Sequence, residues 1–334
     1  MKVVLICRSF DKNSGQGIYK MAGYLYENLK KCNGVEIQKV EGYKNQYYFD
    51  LVESLIKVRK FSFDVYHFLM PEVCAPILFY PKVREKSIAV IHDLIIYKFK
   101  ERKWLSEKYI KFMYRVAKKA KIIIVPSNQT KRDLVELFNI SEDRILYLPW
   151  GVDLEHFKPK IGKRSKNKKL TIGYVGGLGK RKNVEWLLYL AKYFGDEVHL
   201  KIAGAGPMLI PLIELKKRLH LNNVEFVGFI NEGQLPDFYN SIDVFIFPSL
   251  YEGFGIPLVE AMACEVPYII GTNAGIGEFL PIYKISSMLD LTSIVGKIIE
   301  RKLKPLKNQR QWITKCRLTW NDYIQKLMEV YSNI

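Results

Sequence analysis

Residues 241–263 read SIDVFIFPSLYEGFGIPLVEAMA, and their reading decides the fold. The first part, Ile242–Phe247, is short, β-branched and aromatic, the pattern of a buried strand. Pro257 suits the first turn of a helix whose interior is LVEAMA, because a residue without an amide proton costs least where no intrahelical partner exists. A buried strand, a glycine-rich turn and a helix make half of a parallel α/β unit. The same stretch sets Glu252 at the strand's exit and Glu260 near the helix start. Taken alone, it fits a capped turn with two solvated acids equally well.

The pattern repeats outward. KVVLIC, DVYHFL, SIAVIH, KIIIVPS and RILYLP alternate in the first half with helical stretches such as GIYKMAGYLYENLKK. KLTIGYVG, VHLKIAGAG, NVEFVG, IDVFIFPS and VPYIIGT continue the alternation in the second. Such order predicts doubly wound parallel sheets. A chain of 334 residues is too long for one ordinary core and fits two domains. FKPKIGKRSKNKK is polar and without apolar periodicity, and it marks the boundary. The reading is a first domain over 1–157, a second over 158–312, and a closing helical segment over 313–334.

Nearly half the residues are apolar, 49%, as a compact globular protein requires. Cys7, Cys32, Cys74, Cys264 and Cys316 form no CxxC pair, which argues against a disulfide framework or zinc site and for a reducing, cytoplasmic setting. The apolar start MKVVLIC is shorter than a signal-peptide core, and no stretch approaches the ~18 apolar residues needed to span a bilayer. The net charge of +18 is local: residues 98–121 hold ten Lys/Arg against two Glu, and residues 158–169 hold seven with no acid. Within WLSEKYIKFMYRVAKKA, residues Trp104, Leu105, Tyr109, Phe112, Met113, Val116, Ala117 and Ala120 form one stripe. Two readings compete: the stripe packs on the sheet with its lysines solvated, or the basic helix meets an anionic membrane surface.

Ligands of parallel α/β sheets bind beyond the carboxyl ends of the strands. Three loops there are unusual: GGLGKRKN after TIGYV, GAGP after HLKIA, and GTNAGIGE after VPYII. Glycines beside Lys180, Arg181 and Lys182 suit phosphate, since the backbone can approach closely and the cations neutralise charge. Carboxylates near phosphate are tolerated if they face hydroxyls, so Glu252 and Glu260 read as sugar and ribose ligands.

With these motifs in view, the second half resembles the retaining family-four glycosyltransferases of the GT-B fold, whose signature is two glutamates separated by seven residues, here Glu252 and Glu260. YVGGLGKRKNVE, LKIAGAGP and VPYIIGT follow in that family's order. The resemblance implies two Rossmann-like parallel-sheet domains facing across a cleft. It implies that Lys182 and Arg181 hold the donor diphosphate, that Glu252 and the amides of Gly253, Phe254 and Gly255 hold the sugar, and that Glu260 holds the ribose. Gly177, Gly204, Gly275 and Gly277 would let backbone approach the donor. In the first domain Gly15 and Gly17 resemble the family's glycine loop, and His92 its sugar-contacting histidine. Asp93, Ser127 and Asp153 read as caps and loop organisers. Trp320 and Tyr323 read as anchors of a last helix that returns to the first domain.

Gly177 stands where the family often carries Arg, which shifts phosphate neutralisation toward Arg181 and Lys182, and the segment after GIGEF is abbreviated. The function implied is hexose transfer from a nucleotide diphosphate sugar, GDP or UDP, to a carbohydrate or lipid-linked acceptor hydroxyl in glycan assembly. No DxD occurs, so neither a metal nor a cofactor beyond the donor substrate is expected. Two alternatives stand beside this reading: a dinucleotide-binding oxidoreductase, which lacks its GxGxxG after the first strand, and a basic nucleic-acid-binding protein, suggested by the charge, although the expectation is of no nucleic-acid partner.

Overall fold

The computed structural model describes residues 1–14, 17–42, 48–60, 62–99, 104–160 and 169–334. Gly15 lies outside these residues, as do Lys100, Arg102 and Lys103 of the basic run. The chain forms two compact units, Met1–Gly151 with Trp320–Ile334, and Val152–Thr319.

The first unit holds β1 (Lys2–Ile6), β2 (Glu36–Val40), β3 (Val65–Phe68), β4 (Ser87–Val90), β5 (Ile122–Val125) and β6 (Ile145–Tyr147), paired in the order β2-β1-β3-β4-β5-β6. The second holds β7 (Leu170–Val175), β8 (Val198–Ala203), β9 (Val224–Gly228), β10 (Val244–Phe247), β11 (Tyr268–Gly271) and β12 (Tyr283–Lys284), in the order β12-β11-β10-β7-β8-β9. Every pairing is parallel. Central strands such as β3, β4 and β10 are buried along their whole length, which is why they read as unbroken apolar runs. No helix among the described residues is long and apolar enough to cross a membrane.

The units divide at Gly151 and Trp320 rather than at residues 157 and 313. Residues 152–157 pack into the second unit, where the Arg310 guanidinium donates to the carbonyls of Leu154 and Phe157 at 2.9 and 2.7 Å. Val152 N donates to Leu318 O at 2.9 Å, which holds residues 313–319 there too. Most of the charged run that marked the boundary, residues 161–168, lies outside the described residues, and the crossings at Gly151 and Trp320 carry no compositional signal.

The helix Trp320–Ser332 completes the first unit. Trp320 stacks on Tyr24 at 5.3 Å, and Tyr323 is buried. The fully buried His67 of β3 lies 2.7 Å from the Tyr331 hydroxyl, bringing the end of this helix onto the sheet. Elsewhere in the unit Ser127 accepts from Thr130 N at a helix start, and Asp93 accepts from Ile95 N. In the second unit, Asp153 accepts from the amides of Glu155 and His156. All three act as local caps.

Burial, with His92 nearby, lowers the His67 pKa from 6.5 to about 3, and burial lowers that of His92 from 6.5 to about 4. Both rings are therefore neutral in the fold, and their contribution is whole above the unfolded value. It drains as pH falls from 6.5 toward 4, because only the unfolded chain then takes up the protons. Urea denaturation should show stability falling over that window by up to about 2.7 kcal/mol per pH unit from two such groups. A His67→Gln chain should lose about half of that slope, and an unchanged slope would remove His67 from the account.

Candidate functional site

In the second sheet the chain runs outward from β7 to β8 and β9, then returns to lay β10 on the other side of β7. A crevice opens where strand order reverses, so the loops after β7 and β10 flank the natural ligand position. Those loops carry the predicted cations and the first carboxylate. Glycines 176, 177 and 179 lead into one tight turn, Lys180–Lys182, which ends at Asn183 with φ 55°. Leu250 N donates to Arg181 O at 2.8 Å and stitches the two loops together.

Lys182 Nζ lies 2.5 Å from Glu252 Oε1, and Arg181 Nη1 lies 3.1 Å from the same oxygen. Arg181 Nη1 also donates to Tyr251 O at 2.8 Å, and Lys182 Nζ sits 5.0 Å above the Phe247 ring. Glu252 is 6% exposed. Burial pushes its carboxyl pKa up, but Lys182 and Arg181 outweigh that and hold it below the ordinary value. The carboxylate is thus ionised at neutral pH, and the trio keeps a net positive charge, which favours an arriving anion.

Gly255, at φ 97°, turns the chain into the helix Ile256–Ala263, with Pro257 in its first turn as the sequence predicts. Glu260 is buried on this helix, and its Oε2 accepts from the Tyr239 hydroxyl at 2.8 Å. Burial first and Glu260 second drive the Tyr239 pKa well above 10, so the phenol stays a donor. Gly275 must be glycine: φ is 58°, and a Cβ there would stand 2.4 Å from Phe254 O and 3.0 Å from the Glu252 side chain. Ile276 N donates to Phe254 O at 2.7 Å, docking the GIGE turn on the EGFG loop. Gly204 is as constrained, with φ 140° and a would-be Cβ 1.8 Å from Gly176 O.

The structure therefore brings Arg181, Lys182, Glu252, Gly253, Phe254, Gly255 and Gly275 to one corner of the second sheet's carboxyl edge. Gly204 joins it through Gly176, while Gly277 follows in the GIGE turn and accepts a hydrogen bond from Lys284 Nζ on its carbonyl. Gly177 is exposed, and its carbonyl accepts from the Tyr174 hydroxyl at 2.9 Å. In the first unit Gly17 opens the helix Gly17–Leu29. His92 is 4% exposed, with Nε2 2.6 Å from Leu69 O and its ring edge-on to Trp150. Since a carbonyl can only accept, Nε2 carries the proton, and Nδ1 is left as an acceptor with no protein partner. Sequence reasoning gave no role to Tyr239 or Lys284. Tyr239 sits in a short helix among apolar neighbours, and Lys284 on a two-residue strand, so neither shows a pattern.

Two doubly wound units, the second with a cationic, glycine-lined corner at a strand-order reversal, have the architecture and local charge that suit an anionic ligand. Residues 2–156 match the family Glycosyltransferase Family 4, and residues 155–285 match Glycosyl transferases group 1. The chain belongs to the group 1 glycosyltransferases of the GT-B fold. An uncharacterized glycosyltransferase of Methanocaldococcus jannaschii is 31% identical over 173 residues, 47% of this chain and 44% of the relative. O-antigen chain mannosyltransferase B of Escherichia coli is 24% identical over 241 residues, 66% of this chain and 60% of that protein. The chain thus spans about half the length of these curated relatives. Among solved structures, Anabaena HepE in complex with UDP and glucose superposes with a TM-score of 0.80 at 17% identity, covering 100% of both chains. Neither an oxidoreductase nor a nucleic-acid-binding protein is among these matches.

If Lys182 and Arg181 jointly compensate Glu252, truncating one cation leaves a buried charge underpaired. Lys182→Ala should lower unfolding free energy by roughly 3 kcal/mol, and adding Glu252→Gln should restore part of it. Additive losses in a denaturation double-mutant cycle would mean that the pair is not coupled.

Proposed function

We propose that the chain transfers a hexose from a nucleotide diphosphate sugar to an acceptor hydroxyl, with retention of anomeric configuration. The observation that carries this is the buried Glu252 carboxylate shared by Lys182 and Arg181 at the strand-order reversal. As the bond from the anomeric carbon to the diphosphate oxygen breaks, the acceptor oxygen bonds to that carbon and passes its proton to the departing diphosphate. Charge gathers on the departing diphosphate. Lys182 and Arg181 are already in place to meet it, and preorganised charge lowers such a barrier without reorganisation at the moment of reaction. On this reading the two cations do the work for which a metal is otherwise recruited, and no cofactor is needed beyond the donor.

Glu252 then holds sugar hydroxyls, with main-chain amides of Gly253, Phe254 and Gly255 beside it, and Glu260 holds the ribose. His92, neutral and with Nδ1 free to accept, suits a sugar hydroxyl. Retention rests on the family likeness. UDP as the donor nucleotide is supported by the UDP complexes of HepE, and GDP is the other donor nucleotide that the family resemblance allows. The O-antigen relative supports an acceptor in glycan or glycolipid assembly, carbohydrate or lipid-linked.

Glu252 and a diphosphate draw on the same cations, so removing the carboxylate's charge frees them for the nucleotide. Calorimetry should find that Glu252→Gln binds free UDP or GDP severalfold more tightly than the parent chain, while sugar transfer falls by at least a hundredfold. Lys182→Ala should weaken the same nucleotide by the 1.5–3 kcal/mol of a charge-assisted hydrogen bond, written as about tenfold or more. Unaltered affinity in both variants would overturn the diphosphate assignment.

A further inference from the structure

Of the two readings of the helix Trp104–Ala117, the packed stripe holds for only part of its length. Ile110, Met113, Val116 and Ala117 are buried, yet Leu105 is 72% exposed and Phe112 is 50% exposed. These two lie on one face with Tyr109 between them, at the i, i+4, i+7 spacing of a helical stripe. Tyr109 donates to Asp50 Oδ2 at 3.0 Å, and Arg8 Nε donates to Asp50 Oδ1 at 2.9 Å. Those bonds tie the turn Phe49–Glu53, with its exposed Leu51 and Val52, to the middle of the exposed stripe. Ile56 continues the same segment one turn on. Phe79, 63% exposed, ends the short helix Pro76–Phe79, which packs against both Ser54–Arg59 and Trp104–Ala117.

Six large apolar side chains from three neighbouring elements thus stand in water on one unit, more than the scattered singles of an ordinary surface. Cations outnumber acids around them, with Glu85 exposed on the helix that carries Lys82. Glu107 and Glu53 are matched by Lys111 and Lys57 at 2.5 and 2.6 Å. Arg59, Lys60, Lys82 and Lys108 are exposed beside the apolar groups. Across the described residues 104–121 there are six Lys/Arg against the single Glu107. We infer that Leu51, Val52, Ile56, Phe79, Leu105 and Phe112 with these cations form a docking face for an anionic lipid bilayer. Apolar side chains seat at the headgroup boundary while the cations meet lipid phosphates, and the two contributions add. A protein partner of matching chemistry would need both an apolar socket and an acidic rim, whereas an anionic bilayer presents both everywhere.

Vesicle binding needs neither donor nor acceptor, so its outcome is separate from that of the transfer reaction. The chain is sedimented with vesicles of phosphatidylcholine alone or with 30% phosphatidylglycerol, about a third anionic lipid as in charged leaflets, and its fold is checked by circular dichroism. It should pellet with the anionic vesicles only, and less as salt rises. Leu105→Ser with Phe112→Ser should weaken binding at least tenfold, and Lys60→Gln with Lys108→Gln by about fivefold per charge. Ile56→Ser with Phe79→Ser should act like the first pair, which tests whether the three elements form one face. Equal recovery in the supernatant with both lipids would overturn the proposal. So would binding that the serine variants leave unchanged, or a dimer in sedimentation velocity that the serine variants dissolve, since the face would then belong to a second copy.

Discussion

An ionised carboxylate is costly to bury unless cations or hydrogen bonds compensate it, and cations can do so only where backbone holds them close. Glu252 states the problem: nearly out of water and ionised, it requires Lys182 and Arg181 within hydrogen-bond reach of one oxygen. That requirement fixes the paths of two loops belonging to strands distant in sequence but adjacent in the sheet, β7 and β10. Arg181 serves twice, since its guanidinium also reads the carbonyl of Tyr251 and its own carbonyl takes the amide of Leu250. The GIGE turn closes over the same loop only because Gly275 has no side chain. Beside the charge cluster, two backbone hydrogen bonds, Leu250 N to Arg181 O and Ile276 N to Phe254 O, hold these three loops together.

The first unit solves a related problem with other materials. Its buried polar groups are pinned to the ends of the chain's excursions: Arg8 to Asp50, His67 to Tyr331, and His92 to the carbonyl of Leu69. Each pin crosses between elements, so each fixes a position as well as satisfying a donor. The histidines do this while uncharged, which spares the sheet a buried cation and leaves His92 an acceptor atom.

The sheets were legible because their strands are buried on both faces: β3, β4 and β10 announce themselves as apolar runs. β2 did not, since only Val40 of Glu36–Val40 is buried, and a polar edge strand carries no such signal. β12 is two residues long and below any pattern. The cations and glutamates could be read because glycine-rich loops with Lys/Arg are rare at strand ends, and that reading was joined to a family likeness. Their pairing with one another could not, because it depends on β7 and β10 being neighbours despite some seventy residues between them. Helical periodicity put Leu105 and Phe112 on one stripe with Met113 and Val116, but it does not say how much of a stripe the neighbouring elements cover, and these two stand in solvent.

The closing helix has a consequence for how the molecule is made. The first unit is not complete until Trp320 and Tyr331 arrive to cover Tyr24 and His67, after the whole of Val152–Thr319 has been synthesised. A ribosome therefore releases a continuous second unit that can finish folding while the earlier-born first unit still waits, its sheet uncovered along the face that Trp320–Ser332 will occupy. Order of birth and order of maturation are reversed. A chain stopped just short of Trp320 would hold the whole of the second unit while its older first unit stayed unfinished, and quality-control machinery would meet that uncovered surface.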